Sequence, residues 1–345
     1  MRPSKTNKGR FFEDYAVGDT LHHAVPRTVS GGERALYHML YPARHALHSS
    51  DQFAQSCGLP ASPLDDLAVF HIVFGKTVPD VSLNAVANLG YAQGRWGVPV
   101  YPGDTLRSQS EVIGVKENSN GKTGVVYVRT TGLNQRDETV LEYIRWVMVR
   151  KGDVDAPAPK PVVPNLTGAL SVGELRIPDG LDFGSYDFTL AGEPHRWGDY
   201  TIGEQIDHID GVTVEEAEHM LATRLWQNTA KVHFDTSARP DGSRLIYGGH
   251  VISMARALSF NGLANAQMIV GLNGGAHANP CLAGDTIRAW SEVLDKAETT
   301  TPGVGAIRLR LVATKGGDPF DLRGADGKYL PHVLLDLDYW AVMPL

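Results

Sequence analysis

Several stretches of the chain alternate apolar and polar residues with the period of two that is typical of β-strands. The alternation is clearest in DTIRAWSEVL (285–294) and AIRLRLVA (306–313). In 213–226, apolar residues recur instead at helical spacing, and the long apolar segment VISMARALSFNGLANA (251–266) predicts a largely buried helix. The pattern therefore predicts short helices, one buried helix and then several antiparallel strands, which is an α+β fold.

Two segments carry the signature of a capped helix start. In this signature a Ser or Thr side chain and a Glu three residues later satisfy backbone N–H groups reciprocally. Ser30 is followed by Glu33, and Thr213 is followed by Glu216. Each pair predicts a helix that begins near the start of one half of the chain.

The chain repeats itself at a nearly constant interval. EDYAVGDTLHH (13–23) matches GDYTIGEQIDH (198–208), and PGDTLRSQSEVI (102–113) matches AGDTIRAWSEVL (283–294). Because the matches keep the same order along the chain, they indicate a tandem duplication.

The repeat divides the chain into two predicted domains. The first covers residues 1–150 and the second covers 171–345, and both have an ordinary domain size. Between them, 151–170 is rich in proline, which favours an extended, semi-rigid linker over a helix.

The composition narrows the possible functions. A formal net charge of -7 over 345 residues disfavours nucleic acid or an anionic membrane as the main partner. The two cysteines, Cys57 and Cys281, are too few for a disulfide framework or a zinc ribbon. We find no secretory signal and no apolar run of the ~18 residues that a membrane span requires. We therefore expect a cytoplasmic protein.

The order of these motifs resembles that of the MaoC-like hot-dog hydratases. Most of the likeness lies in GRFFEDYAVGDTLHHAVPRTVSGGERALYHMLYPARHALHSSDQFA (9–54) and WGVPVYPGDT (96–105), with a Gly-Gly-His turn before the buried helix. The duplication is similar to the double hot-dog form of the family. The resemblance implies an α+β fold in which a curved antiparallel sheet wraps around a long central helix, twice.

The resemblance also implies an activity. It implies a carbon–oxygen lyase that reversibly hydrates mesaconyl-CoA (2-methylfumaryl-CoA) to β-methylmalyl-CoA, without a metal or redox cofactor. Three alternatives stay open: an (R)-specific enoyl-CoA hydratase for plain acyl chains, a hot-dog acyl-CoA thioesterase, and a non-catalytic acyl-CoA-binding module. The two copies are expected to pack as a pseudo-dimer, and whole chains are expected to form a homo-oligomer.

Neither copy keeps the hydratase motif of the family, G-D-x-N-P-[LIV]-H, intact. In the second copy the motif falls on 227–233, where His233 is kept and Asn228 replaces the catalytic Asp. In the first copy His48 is kept and Ala43 replaces the Asp. This departure leaves open how the usual roles of Asp and His are filled.

Hydration of an enoyl thioester needs hydrogen-bond donors at the thioester oxygen and a base at the attacking water. Gly248 and Gly249 precede His250 at the start of the buried helix, where unpaired N–H groups point outward. We predict that the Gly249 N–H polarises the carbonyl, that His233 exchanges the proton with water, and that Asn228 positions that water. Gly248 and His250 are expected to contact the substrate.

The first copy reads Val69-Phe70-His71 at the turn predicted to match the glycines, and Phe70 would obstruct a substrate there. We therefore expect the first copy to support CoA binding rather than catalysis. His45 and His48, three residues apart, form the alternative catalytic centre and are otherwise expected to contribute to binding.

A second carboxylate on the substrate would need a cation. Lys231, Arg224 and Arg44 are close to the motif in sequence, and Arg matches a carboxylate best, although a solvated surface role is the more common one. Asp235 could orient the catalytic imidazole, although a solvated turn residue is the simpler interpretation.

Two further patterns predict no chemistry. GLNGGAHANP (271–280) lacks the Lys-Ser/Thr of a phosphate loop, so it predicts a turn. No His pair has the spacing and nearby carboxylate of a metal site, so no metal ligands are predicted.

Overall fold

The computed structural model describes residues 5–345, and its framework is one antiparallel sheet of ten strands. The strands are β1 (Thr20–Thr28), β2 (Ala85–Trp96), β3 (Thr105–Glu117), β4 (Thr123–Leu133), β5 (Thr139–Arg150), β6 (Gln205–Thr213), β7 (Ile269–His277), β8 (Thr286–Glu298), β9 (Val304–Thr314) and β10 (Val333–Pro344). Their order across the sheet is β1-β3-β4-β5-β2-β7-β10-β9-β8-β6. Each half of the chain therefore supplies five strands in the same relative order, and β2 and β7 join the halves at the centre.

The strands form where the sequence alternates. The strand β9 is buried except at Arg308 and Arg310, whereas along β4 buried and partly exposed side chains alternate from Gly124 to Leu133. This is the pattern of a sheet with one face packed on a core. The α+β fold predicted from the alternation and from the resemblance is confirmed, as a double hot-dog.

The α-helices of residues 5–345 all lie between strands along the chain. They are α1 (Gly31–Leu40), α2 (Ala46–Ser49), α3 (Asp51–Ser56), α4 (Asp66–Thr77), α5 (Phe188–Ala191), α6 (Glu216–Leu225), α7 (Gly248–Leu258) and α8 (Phe260–Leu263). The central helix of the first half, α4, packs on β3 and β5, and its counterpart α7 packs on β8, β9 and β10. Both are almost fully buried, as their apolar sequences require.

Of the two predicted capping boxes, one is confirmed and one is wrong. Ser30 caps α1: its hydroxyl accepts the Gly32 N–H at 3.1 Å, and its own N–H donates to Glu33 at 2.7 Å. Thr213 is instead the last residue of β6, where it pairs with the adjacent strand, and Glu215 precedes α6. The Thr213 hydroxyl lies 2.8 Å from the hydroxyl of Thr286 on the adjacent strand, so it is not free to cap α6.

The proline-rich segment 151–170 contains no helix. It is tied to the sheet at Val162, whose N–H donates to Val115 at 2.8 Å, and the Val115 N–H donates back at 2.9 Å. The extended linker at 151–170 and the division into domains at 150 and 171 both stay predictions. None of the helices within residues 5–345 is long and apolar enough to cross a membrane.

Candidate active site

A cavity of about 310 Å³ lies between the two halves of the molecule. Its polar lining includes Asn88, Tyr91 and Arg145 from the first half and Asn228, His233 and His277 from the second. The remaining lining is mostly apolar. A mainly apolar cavity of this size with a few convergent polar groups is the usual form of a small-molecule site.

The helix α7 begins at this cavity. Tyr247, the residue that caps the helix, accepts the His250 N–H through its carbonyl but offers no side-chain acceptor to the first turn. Within residues 5–345, the N–H groups of Gly248 and Gly249 have no hydrogen-bond partner. Gly248 lines the cavity directly, whereas Gly249 is buried one residue further along the helix. Unpaired N–H groups at the positive end of a helix dipole suit an oxygen that gains negative charge.

Aromatic rings explain why both residues are glycine. A Cβ on Gly248 would lie 2.4 Å from the ring of His277, and a Cβ on Gly249 would lie 2.4 Å from the ring of Tyr247. Neither contact is tolerable, so a larger residue would displace a ring that lines the cavity. The glycines therefore allow two rings to pack against the helix start.

His233 lies on the same cavity, in the short 3-10 turn Lys231–His233. Its Nδ1 is 2.7 Å from the Leu245 carbonyl, and because a carbonyl can only accept, Nδ1 carries the proton. The neutral ring therefore keeps its lone pair on Nε2. Burial lowers the pKa of His233 to about 4, so the ring is neutral at pH 7. The ring is therefore held in one tautomer with an acceptor nitrogen available, which is the geometry that a general base requires.

Asn228 also lines the cavity and is buried. Its Oδ1 accepts the Ala230 N–H at 3.0 Å, which leaves the side-chain NH₂ as the group available to a ligand. Asn228 can therefore donate a hydrogen bond to water or substrate. It cannot take a proton.

Asp235 does not orient His233. Its carboxylate accepts the N–H and the hydroxyl of Ser237 in a turn, at 2.9 and 2.7 Å. The Leu245 carbonyl takes the orienting role instead. The solvated-turn interpretation of Asp235 was therefore the correct one.

His277 is a cavity residue that the sequence did not reveal. It is the last residue of β7, so the turn predicted at 271–280 is wrong: the glycines there lie in a central strand, where they allow close approach of neighbouring side chains. The His277 Nε2 lies 3.2 Å from the Tyr91 hydroxyl across the junction of the halves. Burial, with a smaller effect of His233, lowers the pKa of His277 to about 4.

The three cations predicted near the substrate carboxylate lie outside the cavity. Lys231, Arg224 and Arg44 are all exposed. The Arg224 Nε donates to the Met220 carbonyl of its own helix at 3.2 Å, and the Arg44 guanidinium stacks 4.3 Å from the Phe260 ring. These residues are close to the motif in sequence but not to the cavity in space, because each lies on the surface, in a turn or a helix.

His250 is buried rather than directed into the cavity. Its Nδ1 is 3.3 Å from the Tyr41 hydroxyl, and its Nε2 is 3.4 Å from the Glu218 carboxylate. The predicted substrate contact is therefore replaced by a contact that joins the two halves.

In the first half, the motif histidines are held in contacts within the protein and do not line the cavity. His48 is buried and its Nε2 lies 3.2 Å from Asp66, while its Nδ1 is 3.3 Å from the Pro63 carbonyl. Burial lowers the pKa of His48, but the Asp66 carboxylate more than offsets this and raises it to about 9. A charged imidazole with both nitrogens engaged cannot act as a base. His45, also buried, packs edge-on against Phe260 away from the cavity.

The predicted match between the glycines and Val69-Phe70-His71 is also wrong. These residues lie one turn inside α4, and the helix start is occupied by Asp65 and Asp66. The Asp65 carboxylate accepts the Leu67 N–H at 2.9 Å. His71 is fully buried, with its nitrogens 2.7 Å from the Ser253 hydroxyl and 3.3 Å from the Tyr247 hydroxyl.

Comparison with known proteins shows which family the chain belongs to. The model of the mesaconyl-CoA hydratase family matches residues 1–319. The chain is 76% identical to the mesaconyl-CoA hydratase of Cereibacter sphaeroides and 57% identical to the β-methylmalyl-CoA dehydratase of Chloroflexus aurantiacus, with 99% of each chain covered.

Solved structures show the same fold. A putative MaoC domain dehydratase from Chloroflexus aurantiacus superposes with a TM-score of 0.97 at 57% identity, covering 99% of both chains. A Mycobacterium tuberculosis protein with a double hot-dog fold superposes with a TM-score of 0.75 at 23% identity, covering 97% of this chain and 98% of the other, which shows the fold alone.

The duplicated fold and the cavity at the start of α7 define a MaoC-like double hot-dog hydratase, a carbon–oxygen lyase. Within that class, the chain belongs to the mesaconyl-CoA hydratase family.

Proposed function

We propose that the chain reversibly hydrates mesaconyl-CoA to β-methylmalyl-CoA in the cavity at the start of α7. The names of the two relatives support the substrate and the product. The observation that carries the mechanism is that the unpaired N–H of Gly248 and the neutral imidazole of His233 belong to one cavity, whereas Gly249, predicted to polarise the carbonyl, lies behind its wall.

The thioester oxygen accepts hydrogen bonds at the helix start. The Gly248 N–H, which lies on the cavity wall, is the first donor, and the Gly249 N–H behind it strengthens the positive field. These groups are worth most when the oxygen gains charge, as the β-carbon is attacked. One such donor commonly contributes ~10²–10³ in rate.

His233 moves the proton. Its Nε2 takes one proton from water while the water oxygen bonds to the β-carbon, and the imidazolium then returns that proton to the α-carbon. The Asn228 NH₂ donates to the oxygen of the water and holds it beside the double bond. The reverse order of steps removes water. Because hydration transfers no electrons, the proposed reaction needs no redox cofactor, and its substrate brings CoA with it.

The proposal is tested by incubating the protein with mesaconyl-CoA and, separately, with crotonyl-CoA. The enoyl absorbance and free thiol are followed together. We expect loss of absorbance with mesaconyl-CoA and no release of thiol. Thiol release would instead identify a thioesterase, equal loss with crotonyl-CoA a general hydratase, and no change a binding module.

The location and assembly of the protein form part of the same proposal. We propose a cytoplasmic enzyme whose whole chains associate into a homo-oligomer. Sedimentation at several concentrations measures the mass of the particle, and a monomer at every concentration would refute association.

A further inference from the structure

Arg145 is a buried cation without a counter-charge. It lies on β5 with none of its surface exposed, and its Nε and Nη1 have no hydrogen-bond partner. Its Nη2 donates to the Thr77 hydroxyl at 2.7 Å and reaches that of Ser82 at 3.4 Å. No carboxylate of residues 5–345 lies within ion-pair distance of it.

A buried guanidinium destabilises the folded state unless an anion or hydrogen-bond acceptors pair with it. A buried charge without a partner is strongly destabilising, and a guanidinium that serves only the fold normally has its N–H groups satisfied. The flat face of Arg145 is occupied, since the Phe74 ring lies 4.3 Å from its central carbon. The two unpartnered nitrogens are therefore the hydrogen-bonding capacity of Arg145 that the fold itself leaves unused.

Arg145 lines the same cavity as His233 and Gly248. On the adjacent strand β2, Asn88 lines it too, and its buried side-chain amide lies beside the Tyr91 hydroxyl without forming a hydrogen bond of good geometry. An unpaired cation and an unpaired amide on neighbouring strands of one cavity form a built site for an anion. A planar guanidinium with free N–H groups matches a carboxylate best.

We propose that Arg145 and Asn88 form a subsite for a free carboxylate on the acyl group, and so restrict the enzyme to dicarboxylic acyl-CoA substrates. The inference rests on the proposed function, because the free carboxylate of mesaconyl-CoA is attached to the β-carbon that water attacks. Holding that carboxylate places the β-carbon relative to His233. A plain acyl chain would bury a methyl group against an unpaired cation.

The test uses two unreactive ligands of the same length. Succinyl-CoA carries a carboxylate where butyryl-CoA carries a methyl group, and neither has a double bond to hydrate. We expect calorimetry to show that the wild-type protein binds succinyl-CoA at least ~10-fold more tightly, since charge-assisted hydrogen bonds in buried sites are strong. We expect Arg145→Met to remove this preference while butyryl-CoA binds no more weakly than before.

Two variants guard against a folding defect and against a general charge effect. Asn88→Ala keeps the cation and is expected to reduce the preference several-fold with an unchanged melting temperature. Arg129→Met removes a partly exposed arginine of β4, outside the cavity, and is expected to leave the preference intact. The proposal is overturned if the wild type does not distinguish the ligands, or if both Arg145→Met and Asn88→Ala keep the wild-type preference.

The binding assay is independent of turnover. If the wild type prefers succinyl-CoA but does not hydrate mesaconyl-CoA, the subsite stands and the proposed function fails. If it hydrates mesaconyl-CoA but binds both ligands equally, the function stands and the subsite fails.

Discussion

The two central helices begin in opposite ways although they occupy equivalent places in a duplicated fold. At the start of α4, the Asp65 carboxylate accepts a helix N–H, and Asp66 is paired with His48. The free space there is about 10 Å³, room for one water at most. At the start of α7, Gly248 faces about 310 Å³ with its N–H free.

This difference shows what each copy contributes. In the first half the protein's own carboxylates use the positive end of the helix, so the helix start is a structural element. Asp66 also accepts the Ile269 N–H at 2.7 Å, which ties the first half to β7 of the second. In the second half the N–H groups at the same helix end are unpaired.

The two motif histidines should differ most in their effect on turnover. We expect His233→Ala to lower kcat by ~10²–10⁴, the usual contribution of a positioned general base. Steady-state kinetics with mesaconyl-CoA measures the loss. His48→Ala, in the folded fraction, should retain most of the activity, because His48 lies outside the cavity. If instead His48→Ala abolished turnover and His233→Ala did not, the centre would lie in the first half.

For the free energy of unfolding, we expect the opposite order: replacing His48 should matter more than replacing His233. His48→Ala leaves the Asp66 carboxylate buried without its partner, which costs about 3–5 kcal/mol of the free energy of unfolding. Urea denaturation measures this. Asp66→Asn together with His48→Ala should recover part of the loss, since no unpaired charge then remains. A His48→Ala protein as stable as the wild type would show that the ion pair does not hold α4.

The buried histidines also predict opposite responses to pH. Burial lowers the pKa values of His233, His277 and His208 to about 4 and that of His71 to about 3. The unfolded chain binds these protons near pH 6.5, before the native state does, so stability is lost as pH falls from 6.5 towards 4. Each group contributes roughly 1.4 kcal/mol per pH unit in that range.

His48 has the opposite sign. Its folded pKa of about 9 gives a contribution that is complete below pH 6.5 and is lost as pH rises through 9. Urea denaturation at pH 7, 6 and 5 tests the acidic limb. Carboxylates titrate mainly below this window, so a free energy of unfolding that stayed constant from pH 7 to 5 would contradict the buried, neutral state of these rings.

A smaller effect is expected at the helix start. Gly248→Ala keeps the N–H but places a methyl group against the His277 ring, so we expect kcat/KM to fall by roughly tenfold to a hundredfold, about 1.4–2.7 kcal/mol. Gly198→Ala is the matched control, because a Cβ there meets no atom within 4 Å. Equal activity of the two variants would indicate that the start of α7 does not touch the substrate.

Much of the fold could be predicted from the sequence. The strand alternation and the repeat predict the antiparallel sheet and its two halves. The apolar run 251–266 predicts α7, although the helix ends at Leu258 and a kinked turn follows it. The start of α4 could not be located in this way. The interval between the copies falls from 185 to 181 residues between the matched segments, so counting does not fix the residue that matches Gly248.

Only those site residues that belong to one local sequence pattern could be predicted. Gly248, Asn228 and His233 lie close in the second half, and their sequence pattern suggested them. His277 and Tyr91 meet across the junction of β2 and β7, a long-range contact that no local pattern encodes. Arg145 did leave a signal, a cation on the buried face of an alternating strand, which an examination of each strand face would have found.

The central claim is that the start of α7, not that of α4, binds the thioester. The most direct measurement is a crystal structure with bound succinyl-CoA. We predict that the thioester oxygen lies about 3 Å from the Gly248 or Gly249 nitrogen, with the acyl group in the cavity beside His233. A thioester seated at Asp65 and Asp66, or an acyl group outside the cavity, would contradict the account.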